Sequence, residues 1–370
     1  MKFLHLADLH IGKRVNGFSM IDDQKYIIDE ILKITDKRHP DAVIIAGDIY
    51  DKSAPSDEAS ELFDYFLTQI SNRGVSVFII SGNHDSGVKT EFGSKIFSKS
   101  GIYVSGKLNF NTVPVKIKDG YGYVNVYMLP FIKPADVKHI YSDFSGTTYN
   151  DAVNFAIGKM NVDFSQRNII VSHQFVTGAK TCESEELSAG GLDNVDFTAY
   201  ERFDYAALGH LHGPQRAGAD YIRYSGTPLK YSFSEVNHKK SVTYVEIKAK
   251  GRTDIELIPL TPVHDMKIVD GTLEQLLNMP KTDDYIKAVL CDDKVQMYTV
   301  EKLRTVFPNI MTVQYKCNSD INYDNWYEYT SEKTDEYDMF ERFFAEQCSK
   351  GLTDFQKEYI KNVIDEVRGE

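Results

Sequence analysis

The chain has 370 residues, 42% hydrophobic and 26% charged, with a net charge of −12. That length and balance suit a globular protein with one large core plus a smaller unit, or two to three modest domains. They exclude a generally basic nucleic-acid surface, and no run approaches the ~18 apolar residues of a membrane span.

The charge is uneven. Residues 320–370 hold 14 acidic and 6 basic side chains, so most of the negative excess lies in the tail and nucleic acid stays open as a substrate. The chain enters an apolar run at once, without the basic and apolar regions of a signal peptide, which points to the cytoplasm. Cys182, Cys291, Cys317 and Cys348 form no CxxC pair and read as isolated reduced thiols.

The first run, Phe3-Leu4-His5-Leu6-Ala7-Asp8-Leu9-His10, reads as a strand that ends in two polar residues. Asp8 and His10 share a face if the strand persists to His10; otherwise they sit at a strand-to-loop junction. After Gly12, the residues Tyr26, Ile27, Ile31, Leu32 and Ile34 keep a helical rhythm that stops near His39-Pro40. Residues 41–46 form a buried strand ending at Gly47-Asp48. A helix follows Pro55, capped by Ser56 or Asp57, with Leu62, Phe63, Phe66, Leu67 and Ile70 on one side. Residues 75–80 make a third strand, ending at Ser81-Gly82-Asn83-His84-Asp85. Strands alternating with helices predict an α/β core with right-handed crossovers, which places ligands at the strands' carboxyl ends.

Residues 102–131 are β-rich and 150–162 helical. Asn168 to Ser172 is a strand ending in His173. Residues 178–198 form a long polar loop that either shapes a substrate channel or makes a surface excursion. Tyr205 to Gly209 is a fifth strand, ending at His210-Leu211-His212, and hairpin-like segments follow at 224–228 and 241–247. Pro259 to Pro262 marks a boundary. Beyond it the pattern predicts a strand at 263–269, a helix at 272–278, a strand at 285–290, a helix at 298–307 and a strand at 310–315. Two amphipathic helices close the chain, 335–349 with Phe340, Phe343 and Phe344, and 353–367 with Phe355, Tyr359, Ile360, Val363 and Val367. Their apolar faces either cap the domain or take a partner.

Singly, each polar strand end has an ordinary structural explanation. Asp48 alone would be a helix cap, His173 alone a hydrogen-bonded core residue, and His5 fits the core. His39, His139, His238 and His264 read as surface or loop residues. Five apolar runs ending in Asp8, His10, Asp48, Asn83, His84, His173, His210 and His212 are harder to dismiss. Carboxylate, imidazole and amide donors without thiolate suit Mn²⁺, Fe²⁺ or Zn²⁺ in a reactive centre. Seven ligands suit two ions sharing a carboxylate, and Asp48 is the natural bridge.

These motifs, D-x-H, G-D, G-N-H-D, a strand-final His and G-H-x-H, resemble the calcineurin-like metallophosphoesterases. The stretches around Asp8, Asp48, His84 and His212, with Tyr224-Ser225-Gly226-Thr227-Pro228, further resemble the SbcD family, nuclease subunits of bacterial SbcCD complexes. The resemblance implies an α/β protein with a β-sandwich flanked by helices. It implies a nuclease domain over 1–260, a small α+β capping domain over 263–330 and a helical SbcC-binding segment over 335–368. One metal would be held by Asp8, His10, Asp48 and His212, the other by Asp48, Asn83, His173 and His210, with Mn²⁺ the expected cation. His84 would face the phosphate as the catalytic residue. Helices around 56–72 and 86–99 would form a homodimer contact. Relatives carry a His three residues after the bridging Asp, where this chain has Asp51, so Asp51 is read as a loop residue near His84.

The implied activity is metal-dependent hydrolysis of DNA: single-strand endonuclease and, with an ATPase SbcC partner, 3′–5′ double-strand exonuclease in end and hairpin processing, on the nucleoid within the cytoplasm. The chain has no G-x-x-x-x-G-K-[ST] and so is no P-loop ATPase itself. The alternatives are a phosphatase or small-molecule phosphodiesterase of the same superfamily, and a non-catalytic DNA-end scaffold. Candidate phosphate contacts are Lys13, Arg14, Lys89 and Arg216, with Lys133, Lys138, Lys239 and Lys240 behind them.

Overall fold

The computed structural model describes residues 1–109, 112–179, 181, 194–292, 296–316, 336–348 and 351–368. They fall into two units, Met1–Lys267 and Ile268–Glu370. Cys182, Cys317 and most of the 178–198 loop lie outside the described residues.

The first unit opens with β1 (Lys2–Leu6), a hairpin β2 (Arg14–Val15) and β3 (Phe18–Ser19), α1 (Ile21–Arg38) and β4 (Ala42–Ala46). Then come α2 (Asp57–Asn72), β5 (Ser76–Ile80), α3 (Gly87–Glu91), α4 (Ser94–Phe97) and β6 (Ile102–Ser105). Next are β7 (Val115–Asp119), β8 (Gly122–Leu129), α5 (Pro134–Ile140), α6 (Tyr149–Lys159) and β9 (Arg167–His173). The unit ends with β10 (Tyr205–Gly209), β11 (Gln215–Ala217), β12 (Ala219–Tyr224), β13 (Ser241–Ile247) and β14 (Thr253–Pro259).

These strands build two six-stranded sheets, ordered β14-β13-β1-β4-β5-β6 and β11-β12-β10-β9-β8-β7. The expected β-sandwich flanked by helices is therefore present. In the first sheet β1, β4, β5 and β6 run parallel, with Phe3 opposite Ala42 and Val43 opposite Val77. In the second, β8, β9, β10 and β12 run parallel. The inner strands read AVIIA and SVFII because both of their faces are covered. Phe3, Ile44, Phe78, Val126, Val171, Tyr205 and Val245 fill the space between the sheets. Val153, Ala156, Ile170 and Leu208 join α6 to the outer face of the second sheet. Each large apolar side chain buried this way contributes about 1.5–3 kcal/mol.

Local signals set the helix limits. Ser56 caps α2 by accepting the Ala59 N–H at 3.3 Å, and Thr148 and Asp151 form a reciprocal capping box on α6. His39 ends α1 in the left-handed region. The helix expected over 86–99 is broken, because Gly93 adopts φ +76° between α3 and α4. His5, buried in the core as read, pairs Nδ1 with the Tyr205 hydroxyl at 3.0 Å. His264 is half-buried against Asp23 at 2.9 Å, not a free surface residue.

The second unit holds a sheet ordered β15 (Met266–Gly271), β16 (Tyr285–Leu290) and β17 (Ile310–Tyr315), with β16 and β17 parallel. The first of these begins at Met266 and not at 263. Pro262 has no N–H to pair, and the next residues are committed elsewhere, His264 to Asp23 and Asp265 to Lys230. Leu273 and Leu276 of α7 (Leu273–Leu277) and Leu303 of α8 (Thr299–Arg304) pack with Phe307, Ile286 and Ile310. The tail forms α9 (Glu336–Cys348) and α10 (Asp354–Arg368), linked by Lys357 to Glu341 at 2.7 Å. No described helix is long and apolar enough to cross a membrane.

Candidate metal centre

Parallel strands put all their carboxyl ends on one edge, and the polar residues read from the sequence meet there. β1 ends at Leu6, before Asp8, so Asp8 and His10 belong to a loop and not to one strand face. That loop runs beside the one after β4: the Asp8 N–H donates to the Gly47 carbonyl at 3.0 Å, His10 to Asp48 at 3.0 Å and Ile11 to Ile49 at 2.9 Å. Asp8, His10, Asp48 and His210 all take positive φ, at 52°, 44°, 48° and 107°. Four non-glycine residues in that region in one place mark a functional site.

The motif glycines let these loops close. A Cβ on Gly82 would lie 2.1 Å from Asp48 Oδ1, and one on Gly209 would lie 1.9 Å from the Ala46 carbonyl oxygen and 2.7 Å from His173 Nδ1. Only a residue without a side chain permits that approach.

Asp48 is the centre of the cluster. Its Oδ2 lies 3.3 Å from His173 Nε2, 3.9 Å from His10 Nε2 and 4.0 Å from His84 Nε2, while Oδ1 accepts the His84 N–H at 2.9 Å. Asn83 Oδ1 stands 3.0 Å from His173 Nε2 and 2.9 Å from His210 Nδ1. His10 Nε2 and His212 Nε2 are 3.2 Å apart. The His210 N–H bridges both Asp8 oxygens at 3.0 and 3.1 Å. Asp8, His10, Asp48, His173, His210 and His212 are all buried.

One donor atom each from His10, Asp48 and His84 lies within 4.8 Å of the others, and the same holds for Asp8, Asp48 and His173. Two groups sharing Asp48 fit two cations bridged by one carboxylate. Within these groups His84 stands beside His10 and Asp8 beside His173. His173 Nδ1 is occupied by the Ala46 carbonyl at 2.8 Å, so its Nε2 is the donor turned inward. His10 Nδ1 is buried without a hydrogen-bond partner. Nitrogen and oxygen donors packed this closely in a dry site suit a borderline cation such as Mn²⁺, Fe²⁺ or Zn²⁺.

The electrostatics agree. Burial pushes the Asp48 carboxyl up, but His173, His10 and His84 outweigh it and hold the group well below the usual carboxylate range. Burial lowers His173, yet the facing Asp48 charge and hydrogen bond raise it to about 9. Burial and the neighbouring His173 push His210 down to about 3, and burial drives His10 well below its ordinary value. The imidazoles therefore do not all hold protons together: His10 and His210 are held neutral, with nitrogen lone pairs free to ligate, while Asp48 favours the proton on His173.

Several supporting residues were not legible from motifs. Gln24 of α1 donates to the His10 carbonyl at 2.8 Å and to Tyr231 Oη at 2.9 Å, and accepts the Gly12 N–H at 2.9 Å. Tyr231 donates to the Leu9 carbonyl at 2.6 Å. Asp85 takes the N–H groups of Gly82, Ile49 and Tyr50; burial and nearby Asp48 push it up to about 6. Phe131 stacks on His210, 6.4 Å between centroids. Buried Glu235 stands behind His212 at 3.3 Å. Of these only Asp85 lay inside a quoted motif.

Asp51 approaches His84 through its backbone, whose carbonyl lies 3.1 Å from His84 Nδ1, while its carboxylate pairs with Lys13 at 2.6 Å. Among the candidate DNA contacts, Arg14, Lys89 and Arg216 are exposed, Lys89 donating to the Ser53 carbonyl at 3.1 Å and Arg216 pairing with Asp220 at 2.9 Å. Lys133, Lys138 and Lys239 are exposed too. Lys240 is not available to solvent: it is buried against Glu235, because that carboxylate needs a counter-charge.

The calcineurin-like phosphoesterase family matches residues 1–214, and the family described as type 5 capsule protein repressor C-terminal domain matches residues 262–347. The chain is 30% identical to the SbcD subunit of the nuclease SbcCD of Staphylococcus epidermidis and 31% identical to that of Staphylococcus saprophyticus, each over 98% of both chains. A dimetal phosphatase from Danio rerio overlays with a TM-score of 0.38 at 11% identity, covering 70% of this chain and 99% of its own, too distant to carry an argument.

Proposed function

The chain belongs to the SbcD-like nuclease subunits of the calcineurin-like phosphoesterase superfamily, and from that premise we propose that it hydrolyses DNA phosphodiesters at the Asp48 centre. The observation that carries the proposal is the pair of donor groups sharing Asp48, buried in every member but His84. Asp8, His10, Asp48 and His212 would hold one divalent cation, and Asp48, Asn83, His173 and His210 the other, with Mn²⁺ the cation of choice. Such a pair supplies an activated water at neutral pH and neutralises charge on the phosphate.

The protein's own contribution is orientation and proton delivery. The Asp51 carbonyl accepts a hydrogen bond from His84 Nδ1–H, leaving Nε2 turned toward the Asp48 side of the pocket. His84 is 18% exposed while His10, His173 and His212 are at most 3% exposed, so it is the imidazole that reaches incoming substrate. There it steadies the developing charge or protonates the leaving oxygen. Asp8 is held rigid by the His210 N–H, and Asp85 tethers the loops after β4 and β5.

The proposed activity is single-strand endonuclease alone and 3′–5′ duplex exonuclease with an SbcC-type ATPase, acting on DNA ends and hairpins at the nucleoid. The tail helices support the partner reading, since Phe343, Phe355 and Tyr359 stay exposed, and Val88, Phe92 and Ile96 present a second apolar patch suited to a homodimer contact. Arg14, Lys89 and Arg216 would bind phosphates, with Lys13 beside them. The domain limits 1–260, 263–330 and 335–368 belong to the same proposal.

The test is cleavage of labelled single-strand, duplex and hairpin DNA by the purified protein with Mn²⁺, beside His84→Ala. The variant is expected to lose about 10²–10⁴-fold in rate while still binding two Mn²⁺ ions. Undiminished cleavage would remove His84 from the mechanism. Turnover of nucleotides but never of DNA would favour a small-molecule phosphodiesterase.

A further inference from the structure

His212 is backed by an ion pair that no motif announces. Glu235 ends a 3₁₀ turn, Phe233–Glu235, in which Ser232 Oγ caps the Ser234 N–H at 3.2 Å. Its side chain is fully buried. One carboxylate oxygen, Oε1, lies 3.3 Å from His212 Nδ1 and accepts the Tyr231 N–H at 3.4 Å. The other, Oε2, takes the ammonium of Lys240. Lys240, 4% exposed, also donates to the His212 carbonyl at 2.9 Å and to Thr227 Oγ1 at 2.6 Å. The same lysine therefore grips both the backbone of His212 and the acid behind its ring.

We propose that Glu235 is a positioning residue for His212: its carboxylate fixes the imidazole proton on Nδ1, turns the Nε2 lone pair toward His10, and thereby tightens one of the two cation positions and not the other. The inference rests on the dinuclear reading of the site, not on the identity of the substrate. The physical reason is that neutral imidazole has two tautomers, and only one presents a lone pair at Nε2. A carboxylate on the far nitrogen selects that tautomer, orients the ring and makes it a stronger donor. The nitrogens on the other side are held differently: His173 Nδ1 meets a neutral backbone carbonyl, that of Ala46. Removing Glu235 therefore touches the His10–His212 side alone. Lys240 offsets the buried charge, and Thr227 keeps the ammonium in place by accepting from it while donating to the Leu229 carbonyl at 2.6 Å.

The experiment is Mn²⁺ titration of the full chain, followed by calorimetry and electron paramagnetic resonance, on wild type, Glu235→Gln, Glu235→Ala and Glu235→Ala/Lys240→Met. The double variant removes the lysine that Glu235→Ala would strand, so a misfolded single variant does not end the test. ¹⁵N NMR of the histidine side chains of the metal-free proteins reads the tautomer directly. The expected result is one ion weakened by about 10–100-fold in the Ala variants and less in Glu235→Gln, the second ion unchanged, and the His212 signals moving from one tautomer to a mixture. Equal loss of both ions, no loss of either, or unmoved His212 signals would overturn the proposal. Split affinities in a wild type that cuts no DNA would leave it standing and remove the nuclease reading instead.

Discussion

Gly82→Ala adds one methyl group at the most crowded point of the centre. The new Cβ would sit 2.1 Å from Asp48 Oδ1, 2.5 Å from the Asp48 backbone nitrogen and 2.6 Å from its Cγ. Two of these atoms belong to a side chain and one to backbone, so rotation alone cannot clear the clash, and the loops after β4 and β5 must part by about 1 Å. Overpacking of this kind costs about 1–3 kcal/mol. The displaced Oδ1 also gives up the His84 N–H it accepts at 2.9 Å, a further ~0.5–1.5 kcal/mol. The unfolding free energy of the metal-free protein in urea is expected to fall by roughly 1.5–4.5 kcal/mol, the sum of those two effects. Because Asp48 belongs to both donor groups, Mn²⁺ titration should show both ions weakened, and a ~1 Å misplacement costs about 10²-fold in cleavage. Gly158→Ala is the matching control: a Cβ in α6 there meets nothing within 4 Å, and helix propensity should raise stability by about 0.5 kcal/mol. Wild-type affinity for both ions in Gly82→Ala would refute the reasoning.

Three further outcomes follow. Chelation should lower the melting temperature; an ion at a hundred times its dissociation constant stabilises by about 2.7 kcal/mol, or roughly 5–10 °C here, read by calorimetry with and without Mn²⁺. Lys240→Met should cost about 3–5 kcal/mol in urea unfolding by leaving Glu235 buried without its partner, and Glu235→Gln/Lys240→Met less; a double variant worse than the single would argue against a compensated pair. Asp119, held well below the usual carboxylate range chiefly by its two hydrogen bonds to Arg167, contributes stability that is complete above about pH 4 and is lost as pH falls from there through the depressed folded value. Asp119→Asn should therefore cost about 1–3 kcal/mol at pH 7, with the gap to wild type closing in unfolding curves toward pH 3.

The strand ends were legible because apolar runs stop abruptly at Asp8, Asp48, Asn83, His173 and His210, and period and composition alone reveal that. The spacing of Asp8 and His10 allowed a shared strand face or a strand-to-loop junction, and the structure takes the junction, where left-handed backbone at both residues does the aiming; nothing in the residue types announces such a conformation. Gln24 and Glu235 escaped notice for another reason. One is a helix residue and the other ends a short 3₁₀ turn, and each acts through a contact spanning many residues, which no local pattern encodes. Lys240 misled because a lysine in a polar stretch reads as solvated until its buried acid is seen. The helix over 86–99 came from the resemblance alone, which did not register the break that Gly93 makes between Glu91 and Ser94.

The left-handed residues also bear on how much of the protein a cell keeps. Such conformations cost roughly 1–3 kcal/mol each, and four of them, at Asp8, His10, Asp48 and His210, are gathered in one pocket. The native state therefore holds a local weakness that a bound cation would offset. Chains without it populate the unfolded state more often, and proteases remove what unfolds. Scarcity of the ion then thins the pool of molecules as well as slowing each one, so that abundance itself becomes a record of metal supply.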